Sequence, residues 1–362
     1  MVYSYNELYN FSKEIFSKIG CNETNAQTAA KALLSADLRG IDSHGVARLS
    51  GYVRLWEAKR INPCTESSII HETISTAVVD GNEGLGLVNA PFAMKIAIEK
   101  ASIAGTGWVS VQNSSHFGIA GYHAMLALPH DMIGIAMTNG SALVAPTFSS
   151  EKLLGTNPIA VAIPAGKENP FVADFATTTA SNGKLEIMQR QKKPIPSGWV
   201  QTKDGKTSNN AHELKEGGAL LPLGGDREHG SHKGYMLGSI ADIFSGIFSG
   251  ANYGPWVPPF PAYVPMPEGM PGKGIGHFFG AMKIDAFRPA QDFKDNMDNW
   301  IRRFKNAKTI EGYGPVIIPG EPESAMEIDR MNKGIPLLQP VMDDLMETGK
   351  KFSIEFRVEA IV

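Results

Sequence analysis

The chain has 362 residues, 43% of them hydrophobic and 20% charged, with a formal net charge of -3. That composition suits one large or two ordinary globular domains and excludes a disordered chain. No broad basic field is present to hold nucleic acid or an anionic membrane surface. Two isolated cysteines, Cys21 and Cys64, fit a reducing compartment better than a disulfide scaffold.

The N-terminus shows no basic segment followed by an apolar core, and no stretch approaches the ~20 apolar residues that span a bilayer. The expected location is therefore the cytoplasm. Leu8, Phe11, Ile15, Phe16 and Ile19 recur at helical spacing, and residues 23–38 predict a second, alanine-rich helix. Residues 44–59 predict a third, with Val46, Leu49, Tyr52, Val53 and Trp56 on one face and Asp42 or Ser43 as its cap. Past residue 70 the period changes. Strands are expected at 74–80, 106–111, 132–138, 159–163 and 170–175, with helices at 89–103 and 119–127 between them. That alternation predicts an α/β or α+β domain over 71–215. Helix returns at 233–248, 289–307 and 323–333, the first apolar enough to be buried, and 354–359 alternates like a closing strand. The two chain ends, 1–70 and 216–362, are thus expected to form a mainly helical domain. Seven prolines between Pro255 and Pro271 predict a long surface loop or a subunit-contact arm.

The residues that carry chemistry cluster in a few segments. If a helix opens within Asp42-Ser43-His44-Gly45-Val46-Ala47-Arg48, His44 and Arg48 share one face, a turn apart. An imidazole can give or take the proton that accompanies carbonyl reduction. A guanidinium presents a fork to a carboxylate. Ser43 can hydrogen-bond the ring or cap the helix. The trio suits a substrate with a carboxylate beside a carbinol; the alternative is an ordinary helix start. Asn113 to Gly121 follows a strand and opens a helix, which puts His116 where α/β proteins hold ligands and where backbone N–H groups favour phosphate. A capped helix with a structural histidine is the other reading. Thr156, Asp174, Lys184 and Lys233 are weaker candidates, each with a plain reading as a turn, a strand end or a solvated lysine.

Gly84-Leu85-Gly86 imitates half of a dinucleotide fingerprint, but the last glycine and the following acid are missing, so a Rossmann fold is rejected. No GxxxxGK[ST], HExxH, CxxC or Gly-x-Ser-x-Gly occurs, which leaves a P-loop, a zinc site or a serine hydrolase unsupported. No metal is expected.

Asp42-Ser43-His44-Gly45-Val46-Ala47-Arg48-Leu49 resembles the signature of the second-type malate/L-lactate dehydrogenase family. Further segments match in order, among them Ser115-His116-Phe117-Gly118, Gly155-Thr156-Asn157-Pro158, Asp174-Phe175-Ala176, His232-Lys233-Gly234-Tyr235, Gly276-His277-Phe278-Phe279 and Pro319-Gly320-Glu321. The resemblance covers nearly the whole chain. It implies a non-Rossmann, L-sulfolactate dehydrogenase-like α/β (α+β) fold: a mixed-sheet cofactor domain, a helical domain built from both chain ends, and a homodimer. It implies hydride transfer between NAD, or NADP, and a small 2-hydroxy or 2-oxo acid, malate or lactate by default. Reduction of a keto-sugar acid or a cyclic imino acid, or ureidoglycolate or sulfolactate oxidation, is the alternative. By resemblance His44 is the proton donor, Ser43 its partner, Arg48 the carboxylate ligand and His116 a catalytic base. Thr156 and Lys184 become substrate contacts. The implied cofactor contacts are His116, Gly118, Ala120, Asn139, Ser141, Asp174, Phe175, Ala176, His232, Lys233, Pro319, Gly320 and Glu321. Glu321 would repel a 2′-phosphate, which favours NAD.

Overall fold

The computed structural model describes residues 1–356. Helix α1 (Tyr5–Lys18) starts at a capping box: the Ser4 hydroxyl accepts the Glu7 N–H, and the Glu7 carboxylate accepts the Ser4 N–H at 3.0 Å. It packs on α2 (Glu23–Leu38), where Ala26, Ala29 and Ala30 let the helices approach and Leu33 and Leu34 join Leu8, Ile15 and Phe16 in the core.

The helix expected from residue 44 does not form there. Two 3₁₀ turns, Asp42–His44 and Val46–Arg48, flank an extended Gly45, and α3 runs only from Leu49 to Glu57. The cause is Asp37, a fully buried carboxylate at the end of α2 that accepts the Val46 N–H at 2.8 Å. A Cβ on Gly45 would lie 2.0 Å from its Oδ1, so only glycine passes. Burial raises the Asp37 carboxyl to about 8, which keeps it protonated at neutral pH.

The second half of the architecture is one seven-stranded sheet. Its strands are β1 (Ser68–Glu72), β2 (Thr76–Asp80), β3 (Thr106–Ser114), β4 (Met132–Thr138), β5 (Ile159–Ile163), β6 (Phe171–Phe175) and β7 (Ile275–Lys283), in the spatial order β1-β2-β3-β7-β4-β5-β6. Every neighbouring pair is antiparallel except β2 and β3, which are joined through helix α4 (Gly86–Ala104). β7 therefore stands in the middle of the sheet although it comes from the C-terminal stretch read as helical. Short α5 (Ala120–Met125) covers one face beyond β3, and α6 (Asn182–Gln191), which the sequence reading lacked, follows β6.

Helix α7 (Ser231–Asp242) runs on into a π-helical turn, Ile243–Ile247. The expectation of burial is wrong here. Met236, Ile243, Ile247 and Phe248 all face outward, Phe248 with 68% of its surface open. α8 (Ala290–Lys305) and α9 (Glu321–Lys333) match the predicted C-terminal helices. A further one, α10 (Gln339–Lys351), buries Met342 and Leu345 against the α1–α3 core. Residues 354–356 are not in a strand, and the rest of the expected closing strand lies outside the described residues. Among the described residues no helix is long and apolar enough to cross a membrane.

Candidate active site

Ser43, His44 and Arg48 do meet, but through a tight turn rather than a helix face. Arg48 Nε donates to the Ser43 carbonyl at 2.6 Å, folding the guanidinium back over the turn. Its two terminal nitrogens have no hydrogen-bond partner among the described residues and remain available to a carboxylate. The Ser43 hydroxyl lies 2.9 Å from His44 Nδ1. From α9, Arg330 grips the Asp42 carboxylate and the Asp37 carbonyl, so the turn is anchored at both ends.

His116 follows β3. The Ser115 hydroxyl accepts the Gly86 N–H at 2.9 Å and donates to the Gly84 carbonyl at 3.1 Å, which pins this segment to the start of α4. A Cβ on Gly86 would lie 2.1 Å from the Ser115 carbonyl oxygen, so that approach also needs glycine. The His116 ring stacks on His44 with centroids 5.6 Å apart and planes at 22°. Its Nδ1 accepts the Gly118 N–H at 3.3 Å and lies 2.8 Å from the Tyr52 hydroxyl. Phe260 packs 4.8 Å from the His116 ring and 5.9 Å from the Arg48 guanidinium carbon. The proline-rich segment is thus more than a surface loop, because it supplies a wall of the site. Sequence reasoning missed both Tyr52 and Phe260. Tyr52 read as one more apolar residue of a helix, and nothing local marks Phe260.

Burial, then the positive charge of Arg48, lowers the His44 imidazole to about 4. Burial, then His44 and Arg48, holds His116 well below its ordinary value. Both rings are therefore neutral at pH 7 in the free protein. Neither Nε2 has a partner among the described residues.

The other expected substrate residues lie on neighbouring turns. The Thr156 carbonyl accepts the Thr177 N–H and hydroxyl at 2.9 and 3.0 Å, and the Thr156 hydroxyl has no hydrogen-bond partner among the described residues. Lys184 is exposed in the first turn of α6. A Cβ on the preceding Gly183 would come within 3.3 Å of the Ser43 side chain, so this helix start abuts the catalytic turn.

Several expected cofactor contacts share one cavity of about 340 Å³, lined by Arg39, Gly121, Asp174, Phe175, Pro319, Gly320 and Glu323 among others. The Val172 N–H donates to the Pro319 carbonyl at 2.9 Å, docking that turn on β6. Asp174 Oδ2 accepts the Gly121 N–H at 2.7 Å, and Oδ1 has no hydrogen-bond partner among the described residues. Ala176 follows at the strand end, and Gly118 and Ala120 are buried beside α5.

The other expected cofactor residues do not line that cavity. The Asn139 side chain is committed to the fold: it donates to Asp242 at 3.0 Å and to the Asn252 carbonyl at 2.8 Å, and accepts the Gly276 N–H at 3.1 Å. Both of its amide N–H donors are therefore used within the fold. The Ser141 side chain has no hydrogen-bond partner among the described residues. Glu321 accepts the Ile318 N–H and forms a 2.7 Å ion pair with Lys305, so its charge is compensated rather than presented to a phosphate. His232 and Lys233 begin α7 and do not line the Asp174 cavity; His232 Nδ1 accepts from Arg227 at 3.0 Å, and Lys233 is exposed.

Comparison with known proteins agrees with this layout. The model of the malate/L-lactate dehydrogenase family matches residues 3–346. The malate dehydrogenase of Pyrococcus abyssi is 41% identical, over 96% of this chain and 94% of its own. Among solved structures, malate dehydrogenase from Entamoeba histolytica superposes with a TM-score of 0.91 at 35% identity, covering 98% of this chain and 99% of that one. Sulfolactate dehydrogenase from Methanocaldococcus jannaschii gives 0.88 at 34% identity, covering 98% of each chain. With the family model matching almost its whole length and these relatives 34–41% identical over 96–98% of it, this chain belongs to the malate/L-lactate dehydrogenase family of oxidoreductases.

Proposed function

We propose that the protein moves a hydride between NAD and a small 2-hydroxy or 2-oxo acid, malate or lactate first among them. One observation carries this reading: the open end of the Arg48 guanidinium stands beside two neutral imidazoles whose Nε2 atoms are unengaged. A bound nicotinamide dinucleotide supplies or accepts the hydride. Arg48 holds the substrate carboxylate. His44 Nε2 takes the proton from the hydroxyl during oxidation and returns it to the carbonyl oxygen during reduction. The Ser43 hydroxyl can donate to or accept from Nδ1, so it can partner the ring in both charge states. Thr156 and Lys184 are the further substrate contacts in this reading.

The chain's residues fit the dinucleotide. The free Asp174 Oδ1 suits a ribose diol, and the 37% exposed Phe175 ring offers a face to the adenine. Ala176, Gly118, Ala120, Ser141, Pro319, Gly320 and Lys233 complete the proposed contacts. The preference for NAD rests on Asp174 and Glu323, which line the cavity, while Arg39 there is already paired with Glu327 at 3.0 Å. A 2′-phosphate would meet the negative charge of these two carboxylates. A homodimer explains the outward apolar row of α7, which a second copy would cover. Light scattering should then give twice the chain mass. Both cysteines are free thiols, in keeping with a cytoplasmic enzyme.

The test is a spectrophotometric screen of malate, lactate, sulfolactate, ureidoglycolate and cyclic imino acids with NAD and NADP. Turnover of a hydroxy acid with NAD is expected; turnover of an imino acid alone would replace the substrate class, and no turnover with no nucleotide binding would overturn the reading. Arg48→Lys should chiefly raise KM, since a point charge replaces a two-pronged donor. An unchanged KM would remove Arg48 from the carboxylate.

A further inference from the structure

We infer that the Gly118 N–H and the Tyr52 hydroxyl, converging on Nδ1, hold His116 as its Nε2–H tautomer, with Tyr52 as a positioning residue, so that His116 serves the substrate as a hydrogen-bond donor and leaves proton transfer to His44. A backbone N–H can only donate, and the Gly118 N–H points at His116 Nδ1 at 3.3 Å. That nitrogen must then carry the lone pair. A proton there would set two N–H groups against each other. The Tyr52 hydroxyl lies 2.8 Å from that lone pair and 3.3 Å from the His116 carbonyl oxygen, and donates to the nearer acceptor, Nδ1. A neutral imidazole with an accepting Nδ1 carries its proton on Nε2. That atom has no partner among the described residues, and His116 lines an open cavity of about 570 Å³.

Tyr52 is held for this task. It is fully buried, and its ring packs edge-on against Phe16 and Phe260, at centroid distances of 6.1 and 5.2 Å. The charged and titratable groups around His116 are His44, Arg48, His123 and His277, and all of them disfavour a second proton on its ring. His44 differs in one respect. Its Nδ1 partner is a serine hydroxyl, which can turn from donor to acceptor, whereas the Gly118 N–H cannot.

The inference rests on the hydride-transfer reading for its consequence but not for its geometry, and the test separates the two. Histidine ¹⁵N NMR on the free enzyme, with the His116 signal assigned by its loss in His116→Gln, should show an unprotonated Nδ1 and a protonated Nε2 at neutral pH. In Tyr52→Phe, which keeps the packed ring, the Nδ1 resonance should shift as that nitrogen loses one of its two donors. The same variant should lose about threefold to tenfold in kcat/KM, the worth of one neutral hydrogen bond. An Nδ1–H tautomer in the wild type would overturn the assignment, as would a Tyr52→Phe enzyme unchanged in both spectrum and kcat/KM. The expected spectrum in an enzyme that turns over none of the acids would sink the proposed reaction and leave the tautomer assignment standing.

Discussion

Two imidazoles face each other across the site, and the chain holds them by opposite means. His44 sits on a turn drawn tight by a buried carboxylate below and an arginine above, with a rotatable hydroxyl on its Nδ1. His116 sits where β3 meets α4, with a fixed amide and a packed tyrosine on its Nδ1. The difference teaches that one residue type at one depth can be a proton carrier or a fixed donor, depending on whether its partner can reverse its own hydrogen bond.

Glutamine breaks that comparison most directly, because it keeps an N–H donor but cannot shuttle a proton. His44→Gln should lose about 10²–10⁴ in kcat, the usual worth of a positioned acid–base group. His116→Gln should lose only about tenfold, the scale of one neutral hydrogen bond. Equal losses in steady-state assays would erase the distinction drawn between the two rings.

A smaller effect sharpens the same point through stability. Unfolded histidines take up protons near pH 6.5, whereas folded His44 and His123 stay neutral to about 4 and His277 to about 3, with burial the main cause. His116 is shifted the same way. Unfolding therefore takes up protons below pH 6.5, and stability falls as pH drops from about 6.5 toward 4. Three carboxyls raised by burial oppose this, Asp37 held protonated to about 8, Asp174 to about 6 and Asp242 shifted the same way, and each favours the folded state less as pH rises. Four histidines outweigh three aspartates, so Tm should decline from pH 6.5 to 5, and Asp37→Asn should steepen the decline. A Tm that is flat or rising over that interval in calorimetry would show that the buried rings are charged in the folded protein.

Much of the site could be read in advance because its residues are close in sequence. Ser43, His44 and Arg48 lie within six positions, and short-range chemistry names them whatever backbone joins them. The backbone itself could not be read. The apolar period from Val46 to Trp56 is that of a helix, and only Asp37, nine residues before Val46, shows why the chain stays extended at Gly45. β7 was invisible for a related reason. It is buried on both faces and carries Gly280 where the Trp108 ring would lie 2.4 Å from a Cβ, so it has no alternation to detect.

The sequence alone determined the amphipathic helices at the N-terminus, the strands between 76 and 175, and the acid–base and carboxylate-binding residue types, because each is written in local spacing or in side-chain chemistry. Tertiary structure alone decided which strand fills the middle of the sheet, that Tyr52 and Phe260 enclose His116, that Asn139 and Glu321 are already engaged, and that α7 turns its apolar row outward. Those outcomes depend on which partners arrive from tens or hundreds of residues away to satisfy a hydrogen bond, neutralise a charge or leave a face uncovered.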